Sequence, residues 1–117
     1  MYYMLILRNT GSASCTLEGY PGVSFVSGSS QVGAPAAHTP GTVTLIVLSP
    51  GGLGQAQLGI SEASNFGAAC GLTGVDGLKV FPPNQTASLT VPHNDQACSN
   101  TSDVTLHVGP LAVGSST

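Results

Sequence analysis

No window of this chain holds a helical apolar period over more than two turns. Apolar residues come instead in short alternating runs, cut by Gly, Pro, Ser and Asn. That pattern predicts an all-β fold. Gln55–Ile60 sets Ala56, Leu58 and Ile60 on one face and Gln55 and Gln57 on the other. Gly77–Phe81, Ala87–Val91 and Val104–Val108 alternate in the same way, with Leu78, Val80, Ala87, Leu89, Val91, Val104, Leu106 and Val108 inward. Thr105 and His107 are expected outward. Thr42–Leu48 is β-branched, with apolar residues on both faces. Tyr2–Arg8 is also apolar on both faces and reads as a central strand. Cys15–Glu18, Val23–Val26 and Gln31–Gly33 complete the set. Seven to eight short, mainly antiparallel strands predict a β-sandwich, with a small barrel as the second choice.

The turn signals agree. Ser49-Pro50-Gly51-Gly52 is a strong turn, and Tyr20-Pro21-Gly22 predicts a type II turn. Asp76 before Gly77 reads as a turn residue, and His93-Asn94-Asp95 as a polar loop. A short helical turn fits within Ile60–Leu72. No linker or repeat divides the chain, which predicts one domain over residues 1–113 and a frayed polar tail over 114–117.

At 117 residues such a domain buries roughly two thirds of its unfolded surface, enough for one core. Its surface is unusual, because charged residues are only 6% of the chain. Ordinary domains carry about four times that fraction. Arg8 and Lys79 are the only basic residues. Two cations cannot displace the counterions of a nucleic acid or grip an anionic membrane surface, so both partners are excluded. No stretch approaches the roughly 18–20 apolar residues that a transmembrane helix needs. Met1–Leu7 lacks the basic start and small-residue cleavage site of a signal peptide and reads as strand.

Few residues suggest catalysis. Neither a Gly-x-Ser-x-Gly elbow nor a glycine-rich phosphate loop is present. The five carboxylates are scattered, whereas glycoside hydrolysis needs two facing each other. His93, Asp95 and His107 are the ligand types zinc takes. A polar loop and an outward strand position do not bring them together, however, and exposed histidines, His38 included, are the expectation. Asn84-Gln85-Thr86 and Asn100-Thr101-Ser102 match the glycosylation pattern, which is common by chance in a chain this rich in Ser and Thr. Trp is absent, so a sugar-stacking face would have to use Tyr2, Tyr3 or Tyr20. Tyr20 is expected to pack beside its own Pro-Gly turn.

Three cysteines are an odd count for an exported domain, which marks a missing partner or a reactive thiol. Cys15 admits three readings: half of a disulfide whose partner is missing, an intermolecular Cys15–Cys15 bridge, or a catalytic thiol. The last needs a neighbouring base or cation, and the sequence places none beside it.

The blocks Leu7-Arg8-Asn9-Thr10-Gly11, Cys15-Thr16-Leu17, Gly19-Tyr20-Pro21-Gly22-Val23, Val32-Gly33-Ala34-Pro35, Leu48-Ser49-Pro50-Gly51 and Cys70…Cys98 together resemble domain-of-unknown-function family 4232. Its members are exported or lipid-anchored domains of actinobacteria, mycobacteria among them. The resemblance implies an immunoglobulin-like sandwich, an extracellular or cell-envelope location, and no established reaction. It pairs Cys70 with Cys98. A bridge enclosing 27 residues would stabilise the fold by about 3–4 kcal/mol. It pairs Cys15 with a cysteine on an additional first strand, so that the N-terminal strand is expected to be missing here. An unpaired sheet edge would follow at or near Tyr2–Arg8, with dimerisation or strand exchange through it.

The expected role is therefore a non-enzymatic binding or structural module of the cell envelope, with no cofactor and no metal. Its partner would be an envelope protein or a glycan, and it could form a homodimer through a strand edge or Cys15. The alternatives are a lectin-like glycan binder and a small envelope enzyme or metal-binding protein.

Overall fold

The alternating runs become eleven short strands in a computed structural model that describes residues 2–83 and 88–113. They are β1 (Tyr2–Arg8), β2 (Cys15–Glu18), β3 (Gly22–Ser27), β4 (Ser30–Val32), β5 (Ala37–His38), β6 (Leu45–Leu48), β7 (Leu53–Ile60), β8 (Leu72–Phe81), β9 (Leu89–Cys98), β10 (Leu106–Val108) and β11 (Ala112–Val113). One sheet runs β1-β7-β10-β5, with β11 also on β7. A second runs β4-β3-β8-β9, and β2 pairs with β6 in a separate ribbon. All pairs are antiparallel except β5 with β10. The fold is an all-β sandwich, as the alternation predicts.

Pleating puts every second residue inside. Ala56, Leu58 and Ile60 of β7 meet Phe25, Leu78 and Val80 of the second sheet in one core, which also takes Leu17, Ile46 and Leu48 from the ribbon. On β6 the even residues are buried, and Leu45 and Val47 face out. The turn at Ser49-Pro50-Gly51-Gly52 forms as expected. Gly52 N donates to Ser49 O at 2.7 Å and Gly51 takes φ 80°, the left-handed value a type II turn requires at that position.

Asn9 ties this turn to the β1–β2 loop. Its Nδ2 donates to Leu48 O at 2.8 Å and to Ala13 O at 2.9 Å, and its Oδ1 accepts from Gly11 N at 3.0 Å. Its backbone N–H donates to Gly52 O, and its carbonyl accepts from Gly51 N. The Asn-Thr-Gly block is thus a splice between two ribbons.

Several expectations are corrected. β1 is an edge strand that pairs with β7 alone among the described residues. Its two-sided apolarity has a different cause: Leu7 faces the core while Tyr2, Met4 and Ile6 lie bare on the outer face. His93-Asn94-Asp95 belongs to β9, an edge strand that tolerates Pro92 opposite Gly77 beside a bulge. Asp76 sits at that bulge, and its carboxylate accepts from Gly28 N at 3.1 and 3.2 Å. Near Pro21 the positive φ falls on Gly19, at 112°, and Gly22 already belongs to β3. The strand expected from Thr42 starts at Leu45, and the one expected from Val104 starts at Leu106. Thr105 is buried, with its carbonyl accepting from Ser61 N at 2.8 Å. Leu89 and Val91 do share a face with Val80 and Leu78, yet remain exposed because β9 is an edge. Ala87, the Asn84-Gln85-Thr86 motif and the tail over 114–117 lie outside the described residues.

The expected helical turn is present as two single-turn 3₁₀ helices, Ala63–Phe66 and Ala68–Cys70. Cys70 and Cys98 form a disulfide across them with a Cα–Cα distance of 4.9 Å.

Candidate functional site

The outward face of the first sheet holds a row of three aligned residues. Tyr2 of β1 stands opposite Gly59 of β7, and Gly59 stands opposite His107 of β10. Gly59 has no side chain to fill the gap between the two rings. A Cβ placed there would lie 3.1 Å from Cε1 of Tyr2. The result is an open groove of about 600 Å³ with Gly59 among its lining residues. Gln57 projects onto the same face two residues along, and Thr39 borders the groove just past β5. Where β7 ends, the chain turns towards the first 3₁₀ helix and adds Ile60, Ser61, Glu62 and Asn65.

Thr39 is well held. Its N–H donates to Val108 O at 2.9 Å, and its carbonyl accepts from the hydroxyl of Tyr20 at 2.6 Å. Tyr20 also stacks flat on His38, with ring centroids 4.0 Å apart and planes 3° from parallel. Tyr20 is thus not confined to its own Pro-Gly turn: it anchors β5 and Thr39 just past it. Leu111 N donates to Gly19 O at 2.9 Å, tying the same loop to the segment before β11.

The groove's chemistry is mostly uncharged and polar around the Tyr2 ring. Thr39, Ser61, Gln57 and Asn65 supply hydroxyl and amide groups that both donate and accept. Glu62 is the one carboxylate in the lining and His107 the one imidazole. The volume suits a small ligand or one segment of a longer one.

The other sequence candidates lie elsewhere. His93 donates through Nε2 to Oδ2 of Asp95 at 3.2 Å, and its ring meets Tyr3 edge-on with centroids 5.5 Å apart. That pair is on β9, whereas His107 is on β10 in the other sheet, so the set His93, Asp95 and His107 does not converge. No group of three metal-ligating side chains occurs among the described residues. Cys15, half-buried on β2 opposite Leu48, carries a free thiol. Asn100 lies in the exposed turn after Cys98; its Oδ1 accepts from Ser102, and its Nδ2 donates to Ala69 O at 3.3 Å.

A family model described as a domain of unknown function (DUF4232) matches residues 1–112. The chain belongs to that family. No curated protein and no solved structure matches it. The blocks that carry the DUF4232 resemblance now have structural roles. Asn9 splices two ribbons, Tyr20 fixes Thr39, and Cys70 bridges to Cys98. No described helix of this DUF4232 domain is long and apolar enough to cross a membrane.

The groove was missed in the sequence because its residues come from four distant segments, around Tyr2, Thr39, Gln57–Asn65 and His107. One signal was available. Gly59 interrupts the outward polar series Gln55, Gln57, and a glycine inside a strand marks a place where another group comes close.

Proposed function

We propose that this domain is an exported cell-envelope module that binds a neutral glycan segment in the Tyr2–Gly59–His107 groove, without catalysis. The observation that carries the reading is the groove: an aromatic ring beside a side-chain-free floor, rimmed by hydroxyl and amide groups. A sugar presents apolar C–H faces to such a ring and hydroxyls to such a rim. Export is supported by the buried Cys70–Cys98 disulfide, a bond that persists in oxidising compartments. A surface nearly free of charge suits a neutral ligand better than a phosphorylated one. A binding role is favoured over glycoside hydrolysis because Glu62 stands alone among the lining residues, while hydrolysis uses two carboxylates.

A glycan array followed by titration calorimetry of the best ligand tests this. Tyr2→Ala and His107→Ala are each expected to weaken binding at least tenfold, with no sugar released from the ligand. Failure to retain any glycan, or retention untouched by both substitutions, would remove the groove from consideration. Release of reducing ends that Glu62→Gln abolishes would move the domain to the enzymes.

A further inference from the structure

β7 is an interior strand, with β1 on one side and β10 and β11 on the other. Its outer face therefore does not depend on what pairs with the far edge of β1. Ala56 and Leu58 are buried in the core, and a Cβ built on Gly54 would meet the buried Ile46 and Leu111. Alternation then sets Leu53, Gln55, Gln57 and Gly59 outward. Gln57 and Gly59 line the Tyr2 groove. Leu53, at the other end of this outward series, lines a second cavity of about 300 Å³ with Val47, Val113 and the turn residues Ser49, Gly51 and Gly52. From Leu53 to Gly59 the strand rises about 20 Å.

The face between the two cavities is uncharged. Gln57 is exposed and Gln55 half-buried, and each amide both donates and accepts. Met4 stands beside Gln57, and Gln55 lies between Ile6 and the small Ala112. No carboxylate occurs on β1, β7, β10 or β11. Arg8, opposite Leu53, adds a guanidinium with several N–H donors at the far end.

We propose that the two cavities are the ends of one track along β7, and that its ligand is an extended neutral polysaccharide rather than a short or terminal sugar. This rests on the reading of the groove as a glycan site. A polysaccharide repeats its hydroxyls along its length, as the outer face of β7 repeats its amides with the two-residue period of a strand. Apolar faces of successive sugar rings pack on Tyr2, Met4 and Ile6, while their hydroxyls reach Gln57, Gln55 and Arg8. A short sugar fills one cavity only, so affinity depends on chain length.

An array of unbranched neutral oligosaccharides tests this, with α- and β-linked glucose, mannose and galactose each printed from the disaccharide upward. An oligomer long enough to cover about 20 Å should bind at least tenfold more tightly than its own disaccharide, and affinity should level off beyond that length. Gln55→Ala and Leu53→Ser should each cut this length gain at least threefold, whereas Tyr2→Ala should weaken disaccharide and oligomer alike. Amide chemical-shift mapping on the unsubstituted chain guards against misfolding of the variants. Its perturbations should run from Gly59 to Leu53 with the long oligomer and stop near Gln57 with the disaccharide. Equal affinity at every length, with Tyr2→Ala still damaging, would keep the groove as a site and overturn the track. A length gain untouched by Gln55→Ala and Leu53→Ser would overturn it too, since repeated units gain affinity statistically. Binding indifferent to Tyr2→Ala, or no binding at any length, would remove the groove reading and the track with it.

Discussion

Cε1 of Tyr2 lies 3.1 Å from the point where a Cβ on Gly59 would stand, closer than a methyl group sits comfortably. The ring at the end of β1 and the missing side chain on β7 are therefore two halves of one feature. Each needs the other for the groove to exist.

Substituting Gly59 should separate binding from folding. The two nearest atoms, Cε1 at 3.1 Å and Cδ1 at 3.4 Å, belong to the exposed Tyr2 ring, which can swing aside, and the nearest backbone atom, His107 O, is at 3.8 Å. Gly59→Ala should thus change stability by less than about 1 kcal/mol, with the lost chain entropy of glycine offsetting the crowding. Gly59→Val should fill the floor and displace the ring. Ligand affinity should fall in the order glycine, alanine, valine while the urea midpoint barely moves. Parallel losses of affinity and stability would show instead that Gly59 is a packing residue.

Asn9 is expected to act through its donors. Asn9→Ala strips hydrogen bonds from Leu48 O, Ala13 O and Gly11 N, and should cost about 1–3 kcal/mol in chemical denaturation. Asn9→Asp keeps the acceptor to Gly11 and loses both donors, so it should be nearly as damaging. If aspartate restored wild-type stability, the loop would depend on the Asx turn rather than on the splice.

These two residues mark how far the sequence was legible. Strand faces followed from alternation wherever one face was polar: the faces of β7 and of the Gly77–Phe81 half of β8 came out as read, because Gln55, Gln57 and Lys79 could not be inward, although β8 begins at Leu72 and runs through Asp76. Strands apolar on both faces misled. β1 looked central because composition does not reveal whether an outward Met4 or Ile6 is covered. His93-Asn94-Asp95 looked like a loop because polar residues and a proline are allowed on an edge strand, where one side needs no partner. The groove joins Tyr2, Thr39 and His107, whose proximity depends on strand order, and strand order is a long-range property that local pattern does not carry.

The β6 register, undecided in the sequence, gives a sharp contrast. Ile46 is 3% exposed and Val47 58%. Ile46→Ala should open a cavity in the shared core at a cost of about 2–5 kcal/mol. Val47→Ala should stay within about 0.5 kcal/mol of wild type. A reversed contrast, with Val47→Ala the costly change, would mean that the ribbon pairs one residue out of step, since such a slip turns every side chain to the opposite face.

The disulfide should stabilise without shaping the fold. Backbone bonds flank it on both sides, from Ser99 N to Gly71 O at 2.9 Å and from Asn100 N to Cys70 O at 3.0 Å, so the segment after the 3₁₀ turns is held to the end of β9 in any case. Removing the bridge mainly frees the unfolded chain. The double variant Cys70→Ala, Cys98→Ala should therefore keep its native circular dichroism and lose about 3–4 kcal/mol, a large share of the 5–15 kcal/mol typical of a domain. Both sulfurs belong to buried residues, so reductant alone should act slowly and denaturant should accelerate it. Cys15→Ser, at a half-buried thiol with no disulfide partner among the described residues, should cost far less. A double variant that lost its tertiary spectrum in water would show that the bridge organises the native state and does more than restrict the denatured one.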